Sequence, residues 1–233
     1  MGVFFYEGNL FIQDCVSLWL NTTNNMSNFR DWKLPKLEKR FQLNQTDSDL
    51  LSEWLSVDEV LDEKEQYVLT YLQKHLKKNV LYWNEQELSM HAIGPIFTWI
   101  DFTTDKSNLF ELRELTGIVD GEEISGKPDG MISSGKGEPE IPYFCFHEYK
   151  KEIDPNGDPT GQCLAAMLVA QVKNEENTPI YGVTITGENW RFLVLEGKKY
   201  DISSSYSASS KGIYDIFRIL KKLKKVIAER VGL

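Results

Sequence analysis

The chain has 233 residues, a formal net charge of −9 and an apolar fraction of 41%, which is enough for one large domain with a substantial core. The acidic balance excludes a protein that coats nucleic acid non-specifically, because such binding relies on many lysines and arginines that displace counterions from phosphates. The longest apolar run, residues 163–170, is far shorter than the roughly 20 residues of a membrane-spanning helix, and the first residues lack the basic start of a secretory signal. We therefore expect a protein of the cytoplasm without a membrane span.

The first 100 residues have mainly helical apolar spacing. Helices are predicted at residues 10–20, 48–55, 61–76 and 85–100, and an asparagine-rich stretch after residue 20 is predicted to be a loop. The acidic segment 46–66 is typical of a solvated helical face. Residues 1–82 are accordingly interpreted as an N-terminal helical extension.

The pattern changes to that of strands from about residue 111. Asp120 and Gly121 form a strong two-residue hairpin signal, and residues 141–150, "IPYFCFHEYK", predict an aromatic strand. A helix follows, with Asp158 as its N-cap and Pro159 in its first turn, and then come two more strands and a basic C-terminal helix. Because a helix connects the strand that ends at Lys150 to the next strand, a crossover between parallel strands is predicted.

Charged residues end the aromatic strand abruptly. Side chains alternate along a strand, so Glu148 and Lys150 share one face, about 6.6 Å apart in rise. Asp129, in "SGKPDG", brings a second carboxylate to the start of an earlier strand. Two converging carboxylates suit a hard cation such as Mg²⁺, and an ammonium beside them can stabilise charge that develops on a phosphate. His147 faces away from Glu148 and is interpreted as a satisfied structural histidine.

Pro128, Asp129, Glu148 and Lys150, in this order of helices and strands, resemble the PD-(D/E)XK nuclease superfamily. The sequence of residues 83–224 as a whole, including "GKPDGMI" and "PYFCFHEYKKE", resembles an uncharacterised bacterial branch of this superfamily. The resemblance implies an α/β, restriction-endonuclease-like fold, in which a mixed central sheet is flanked by helices. It implies a nuclease-like domain at residues 83–233 that follows the helical region 1–82.

The resemblance also implies roles for individual residues. Asp129 and Glu148 would hold Mg²⁺, or Mn²⁺, and Lys150 would act in hydrolysis of a phosphodiester. Many members add an acid from the helix before the sheet, for which Glu87 or Glu85 is available, with Glu87 as the predicted third metal ligand and catalytic residue. Gln162, in the first turn of the next helix, is a further catalytic candidate, although some branches place a tyrosine four residues later and this chain does not.

Two functions follow as hypotheses. The first is a metal-dependent nuclease, endo or exo, with DNA favoured over RNA as its substrate and a homodimer left open. The alternative is a catalytically silent nuclease-fold scaffold, whose acidic N-terminal helices bind a protein partner. The basic C-terminal helix has two equally weighted interpretations, an ordinary solvated face or a surface that contacts phosphates.

Overall fold

A computed structural model describes residues 27–152, 158–174 and 178–232. The helix predicted at residues 10–20 lies outside the described residues. Within them, the α-helices are α1 (Leu34–Phe41), α2 (Asp49–Leu55), α3 (Glu63–Asn79), α4 (Glu85–Leu88), α5 (Gly94–Ile100), α6 (Pro159–Lys173) and α7 (Gly212–Arg230).

The strands fall into two sheets, and most of them follow residue 107. They are β1 (Ser27–Asn28), β2 (Asn44–Gln45), β3 (Asn108–Glu111), β4 (Leu115–Val119), β5 (Glu122–Gly126), β6 (Gly130–Ser134), β7 (Glu140–Lys150), β8 (Ile180–Thr186), β9 (Asn189–Glu196), β10 (Lys199–Ile202) and β11 (Tyr206–Ser207).

The main sheet is mixed and 8-stranded, with the order β2-β10-β9-β8-β7-β6-β3 and with β11 paired to β9. Strands β7 and β8 run parallel, whereas β6 and β9 on either side of them run antiparallel to their neighbours. Helix α6 connects β7 to β8 and packs against both of them. The prediction of a mixed sheet with a helical crossover at this point is confirmed.

The smaller sheet has the order β1-β5-β4. Asp120 and Gly121 connect β4 to β5 with φ angles of 46° and 80°. Positive φ at both central residues is the geometry of the hairpin turn that matches strand twist, and an Asp-Gly pair adopts it readily. The hairpin prediction is therefore confirmed.

Helices cover both faces of the main sheet. Helices α2, α3, α5 and α7 share one buried apolar cluster with residues of the sheet, and α1, α6 and the β4–β5 hairpin share the other. Helix α6 is apolar on nearly all sides, with residues 161–170 buried, as expected for a helix enclosed between the sheet and other elements. The described part of the region 1–82 thus adds β2 to the main sheet and helices to both clusters.

Asp158 joins the starts of two helices. Its Oδ1 atom accepts a hydrogen bond from the backbone N–H of Gly161 at 2.9 Å, and its Oδ2 atom accepts one from the N–H of Leu34 at 2.8 Å. The first bond caps α6 as predicted, and the second satisfies a free N–H in the first turn of α1. One carboxylate therefore fixes α1 beside the first turn of α6, next to Gln162.

The helices before the sheet differ from the prediction in two places. Helix α1 begins at the end of the stretch predicted to be a loop, with Pro35 in its first turn. The predicted helix 85–100 contains a π-helical turn at Ser89–Ile93, where the N–H of Gly94 bonds to the carbonyl of Ser89. Proline at position 95 has no N–H to donate to the preceding turn, which accounts for an irregular ladder at this point.

Most acids of the segment 46–66 are exposed, as predicted for a solvated face, but two of them bind the basic helix α7. Lys221 lies 2.7 Å from the carboxylate of Glu65, and Lys225 forms an ion pair with Glu59. Arg218 also donates a hydrogen bond to the carbonyl of Glu59 at 2.8 Å. The two oppositely charged segments are therefore partly paired within the chain. None of the helices in the described ranges has the length and apolar character to cross a membrane.

Candidate active site

Asp129 and Glu148 are opposite each other at the point where β6 begins. Gly130 pairs with His147 in the antiparallel β6–β7 ladder, so the next position outward places Asp129 across from Glu148. Directly opposed residues of neighbouring strands point to the same face of the sheet. The Oδ2 atom of Asp129 accepts a hydrogen bond from the backbone N–H of Tyr149 at 2.8 Å, in place of a ladder partner. This bond holds the Asp129 carboxylate at the edge of the sheet beside Glu148.

Glu148 is a buried acid, with only 3% of its surface exposed. Burial raises the pKa of its carboxyl well above the ordinary value, and the negative charge of Asp129 and a hydrogen bond to it act in the same direction. The Lys150 ammonium opposes this shift and lowers the pKa of Glu148. A second positive charge between the two acids would relieve their repulsion, which is the electrostatic condition for a cation site.

Lys150 ends β7 with its side chain largely enclosed, at 9% exposure. Its Nζ atom donates a hydrogen bond to the carbonyl of Tyr149 at 3.0 Å and lies 3.6 Å from Oε1 of Glu85. An ammonium has three N–H donors, and these two contacts are its polar partners among the described residues, which leaves one donor for a further group.

A cleft with a volume of about 460 Å³ opens over these side chains. Asp129, Glu148 and Lys150 line it together with Gln162, which α6 presents from its first turn. Four of the five predicted side chains, all except Glu87, thus face one space between the sheet, α6 and the segment that follows β1.

The cleft also contains two basic residues that the sequence analysis did not single out, Arg30 and Lys127. Both are exposed, and neither forms an ion pair within the described part of the chain. Arg30 comes to the cleft because β1 pairs with β5 in parallel register, Asn28 beside Ser125. No local signal marks Arg30, since this pairing joins residues almost 100 positions apart.

Glu85 and Glu87 lie in different surroundings. Oε2 of Glu87 accepts a hydrogen bond from the N–H of Asn84 at 2.8 Å, while the Asn84 side chain accepts one from the N–H of Glu87 at 2.9 Å. This reciprocal pair is a capping box, and Glu87 does not line the cleft. Glu85 does not line the cleft either, but it is the acid of α4 that contacts Lys150.

Glu111, at the end of β3, is a further acid near Asp129. It is paired in register with Gly130, the residue after Asp129. Burial and the negative charge of Asp129 raise the pKa of Glu111. No local sequence signal marks this residue, because the four-residue strand β3 has too short an apolar pattern to be recognised.

His147 lies on the opposite face of β7 from Glu148, as predicted, but it is not a satisfied histidine. Both ring nitrogens are buried without a hydrogen-bond partner in the described residues. The ring stacks on Phe97 with centroids 4.7 Å apart, and burial lowers its pKa to about 4. It is therefore a neutral packing residue, and Gly130 leaves the space that its ring occupies.

No model of a known protein family matches this chain, and a search of the curated proteins gives no match. The roles of the cleft residues therefore depend on their geometry. Among residues 27–152, 158–174 and 178–232, no three His, Cys, Asp or Glu side chains converge closely enough to enclose an ion. Mg²⁺ commonly binds through one or two carboxylates and keeps several waters, so the pair Asp129 and Glu148 fits its coordination habits.

Proposed function

We propose that this protein is a metal-dependent nuclease that hydrolyses phosphodiester bonds, with DNA as the favoured substrate. The proposal rests on one observation. Asp129, Glu148 and Lys150 line one cleft, and they lie at the ends of adjacent strands on one face of the sheet. The resemblance to PD-(D/E)XK nucleases assigns these three residues to the reaction. The geometry supports that assignment, because Asp129 and Lys150 are 21 positions apart in the sequence and yet line the same cleft.

The acid pair fits a divalent cation. Asp129 and Glu148 would hold Mg²⁺ or Mn²⁺, and the buried position of Glu148 favours an occupant that neutralises it. When bound, the cation would supply Lewis acidity to a phosphate oxygen. Glu85 contacts Lys150, and among the described residues neither Glu85 nor Glu87 joins the acid pair as a third ligand, so the role proposed for Glu85 is to position the ammonium.

The amine of Lys150 would stabilise the negative charge that develops on the phosphate. Hydrolysis adds a hydroxyl group from water to phosphorus, breaks one P–O bond and transfers a proton to the leaving oxygen. The Tyr149 carbonyl and Glu85 fix the position of the ammonium before substrate arrives, so that its free N–H can point into the cleft. Arg30 and Lys127 line the same cleft and would attract the phosphate backbone.

Gln162 has an orienting role in this proposal. Its side chain is largely buried, and α6 holds it at the wall of the cleft beside Glu148 and Lys150. A carboxamide can both donate and accept hydrogen bonds, so it suits a group that orients water or a phosphate oxygen.

The decisive experiment is cleavage of linear duplex, supercoiled and single-stranded DNA, and of RNA, by purified protein with Mg²⁺, with Mn²⁺ and with EDTA. We expect metal-dependent cleavage by the wild-type protein and a loss of at least about 100-fold in Lys150→Ala, since one preorganised electrostatic contact contributes on that order. Lys198→Ala is the matched control, because this exposed lysine also follows an acid by two residues but lies outside the cleft.

The outcomes separate the two hypotheses. Equal cleavage by wild type and Lys150→Ala would reveal a contaminant and reject the proposed reaction. A folded wild-type protein without cleavage and without cation binding in calorimetry would favour the scaffold instead. Its predicted partner surface, the acidic N-terminal helices, is already partly used by α7.

A further inference from the structure

A row of side chains extends across the main sheet from the candidate active site. Glu148 of β7 pairs in register with Thr184 of β8, and Thr184 pairs with Arg191 of β9. Residues in register on neighbouring strands project to the same face, so Arg191 lies on the side of the sheet that carries Glu148 and α6. The alternation of side chains along β9 supports this placement, since Trp190 and Phe192 on either side of Arg191 belong to the core on the opposite face of the sheet.

Arg191 borders a second cavity, with a volume of about 360 Å³, beside the first turn of α6. The cavity has hydroxyl groups and an amide around the guanidinium, which are all able to donate hydrogen bonds to an anion. They come from Thr160, Thr184, Thr186, Asn189 and Ser205. No aspartate or glutamate of the described residues lines this cavity.

The guanidinium of Arg191 forms no ion pair and no side-chain hydrogen bond with the described residues. Arginines 40, 113, 218 and 230 do have protein partners, either carboxylates or carbonyls. An arginine on a strand, framed by hydroxyl groups and without an acid among the described residues, is well suited to an oxyanion such as phosphate, because its planar guanidinium can bind two of the oxygens at once.

The spacing suits a polymer. Neighbouring strands are about 4.8 Å apart, so the backbone positions of Glu148 and Arg191 are about 10 Å apart across β8. Because the two residues line separate cavities on one face of the sheet, the arrangement suits a ligand that carries more than one phosphate, such as a strand of nucleic acid.

We propose that Arg191 and the cavity around it bind a phosphate that neighbours the scissile one, which rests on the proposed function of the Glu148 cleft. Arg191 is then a positioning residue. It sets which bond of the backbone reaches Asp129, Glu148 and Lys150, and it contributes affinity without taking part in bond cleavage.

The test measures binding separately from cleavage. Fluorescein-labelled 12-nucleotide DNA, single-stranded and duplex, is titrated with the full chain in Ca²⁺ and in EDTA at several salt concentrations. We expect Arg191→Gln to weaken binding about tenfold and to lower the slope of log K against log salt by about 1, the change for one lost phosphate contact. Arg191→Lys should recover part of the affinity, because it keeps the charge but loses the two-pronged geometry.

Arg113→Gln is the matched control, since this exposed arginine is paired with Glu138 and lies outside both cavities. In cleavage assays, we expect Arg191→Gln to raise KM about tenfold with kcat nearly unchanged. Inorganic phosphate should compete with the oligonucleotide on the wild type and much less on the variant.

Each result has a distinct meaning. If the wild type cleaves DNA and Arg191→Gln binds and cleaves like it, the phosphate site is wrong and the nuclease proposal stands. If Arg191→Gln loses affinity for the oligonucleotide and neither the wild type nor any variant cleaves DNA, the phosphate site stands and the nuclease proposal fails. If the wild type binds neither oligonucleotide nor phosphate, the inference about Arg191 is overturned.

Discussion

The Nζ atom of Lys150 lies 3.6 Å from Oε1 of Glu85, and this contact joins the end of the central strand β7 to the helix that precedes the sheet. The carboxylate is 44% exposed, so the pair is partly screened by solvent and contributes little to stability. Its effect is positional. Together with the carbonyl of Tyr149, it restricts the position of the ammonium at the end of β7.

Glu85 and Glu87 should therefore respond differently to the same substitution. We expect Glu85→Gln to slow cleavage about tenfold, because a free Lys150 ammonium loses its fixed position. Glu87→Gln should leave cleavage unchanged and lower the free energy of unfolding by up to about 1 kcal/mol, through a weaker capping box. Cleavage rates and urea denaturation of both variants provide the measurement, and an equal loss of activity in both would contradict the distinction.

Glu148 should limit the stability of the protein at neutral pH. Its pKa is raised in the folded state, so the folded protein binds a proton more tightly than the unfolded chain. The resulting stabilisation is present below the unfolded pKa near 4.3 and is lost as the pH rises through the folded value. We expect Glu148→Gln to be more stable than wild type by about 1–2 kcal/mol at pH 8 and to show no advantage at pH 4.

The same variant tests the cation site. Mg²⁺ should raise the melting temperature of the wild type by binding the folded state, and it should have little effect on Glu148→Gln. Glu114→Gln serves as the control, because this exposed acid lines the cleft without contacting the pair. Identical Mg²⁺ shifts in all three proteins would remove Glu148 from the metal site.

Several features of this site follow from local sequence signals. The aromatic run that ends at Lys150, the Asp120–Gly121 turn and the Asp158 cap each involve residues close in sequence, and the structure has all three. The short β6–β7 connection predicts that these two strands pair, but it does not fix Asp129 opposite Glu148, because two register shifts between Ile132 and Ser134 move β7 relative to β6.

Features that depend on distant pairing could not be predicted in this way. Arg30 reaches the cleft only because β1 joins β5, and Arg191 is aligned with Glu148 only through the register of β8 and β9. The choice between Glu85 and Glu87 is different, because Asn84 followed three residues later by Glu87 is the local pattern of a capping box and already indicates that Glu87 is engaged at the start of the helix.

His147 should make the fold sensitive to acid. Its pKa is about 4 in the folded state and near 6.5 when unfolded, so the unfolded chain binds the extra proton between these values. Stability from this group is complete above pH 6.5 and falls as the pH drops to 4, by about 3 kcal/mol in total. We expect His147→Phe, which keeps a planar ring on Phe97, to lose less stability over this range than wild type.

Urea denaturation at pH 7, 5.5 and 4.5 measures this difference. His91→Phe is the control, since His91 is exposed and its ring stacks on the partly buried ring of Trp83. It should retain the wild-type pH dependence. If His147→Phe and wild type lose the same free energy on acidification, the buried imidazole is not the source of the acid sensitivity.

The basic helix α7 should contribute to stability and not to nucleic acid binding. Lys221 contacts Glu65 at 2.7 Å, and both side chains are mostly buried, at 28% and 14% exposure. We expect Lys221→Gln to lower the free energy of unfolding by about 0.5–1 kcal/mol at low salt and by less at high salt, because salt screens the pair.

Binding of DNA by Lys221→Gln should equal that of wild type, since the lost charge is already neutralised by Glu65. Lys74→Gln is the matched control for stability, because Lys74 is exposed and makes no ion pair with the described residues. It should leave unfolding unchanged in either salt. If Lys221→Gln loses as much DNA affinity as Arg191→Gln, α7 contributes to phosphate binding. In that case the pairing of Lys221 with Glu65 does not remove the positive charge of α7 from the electrostatic potential at the surface.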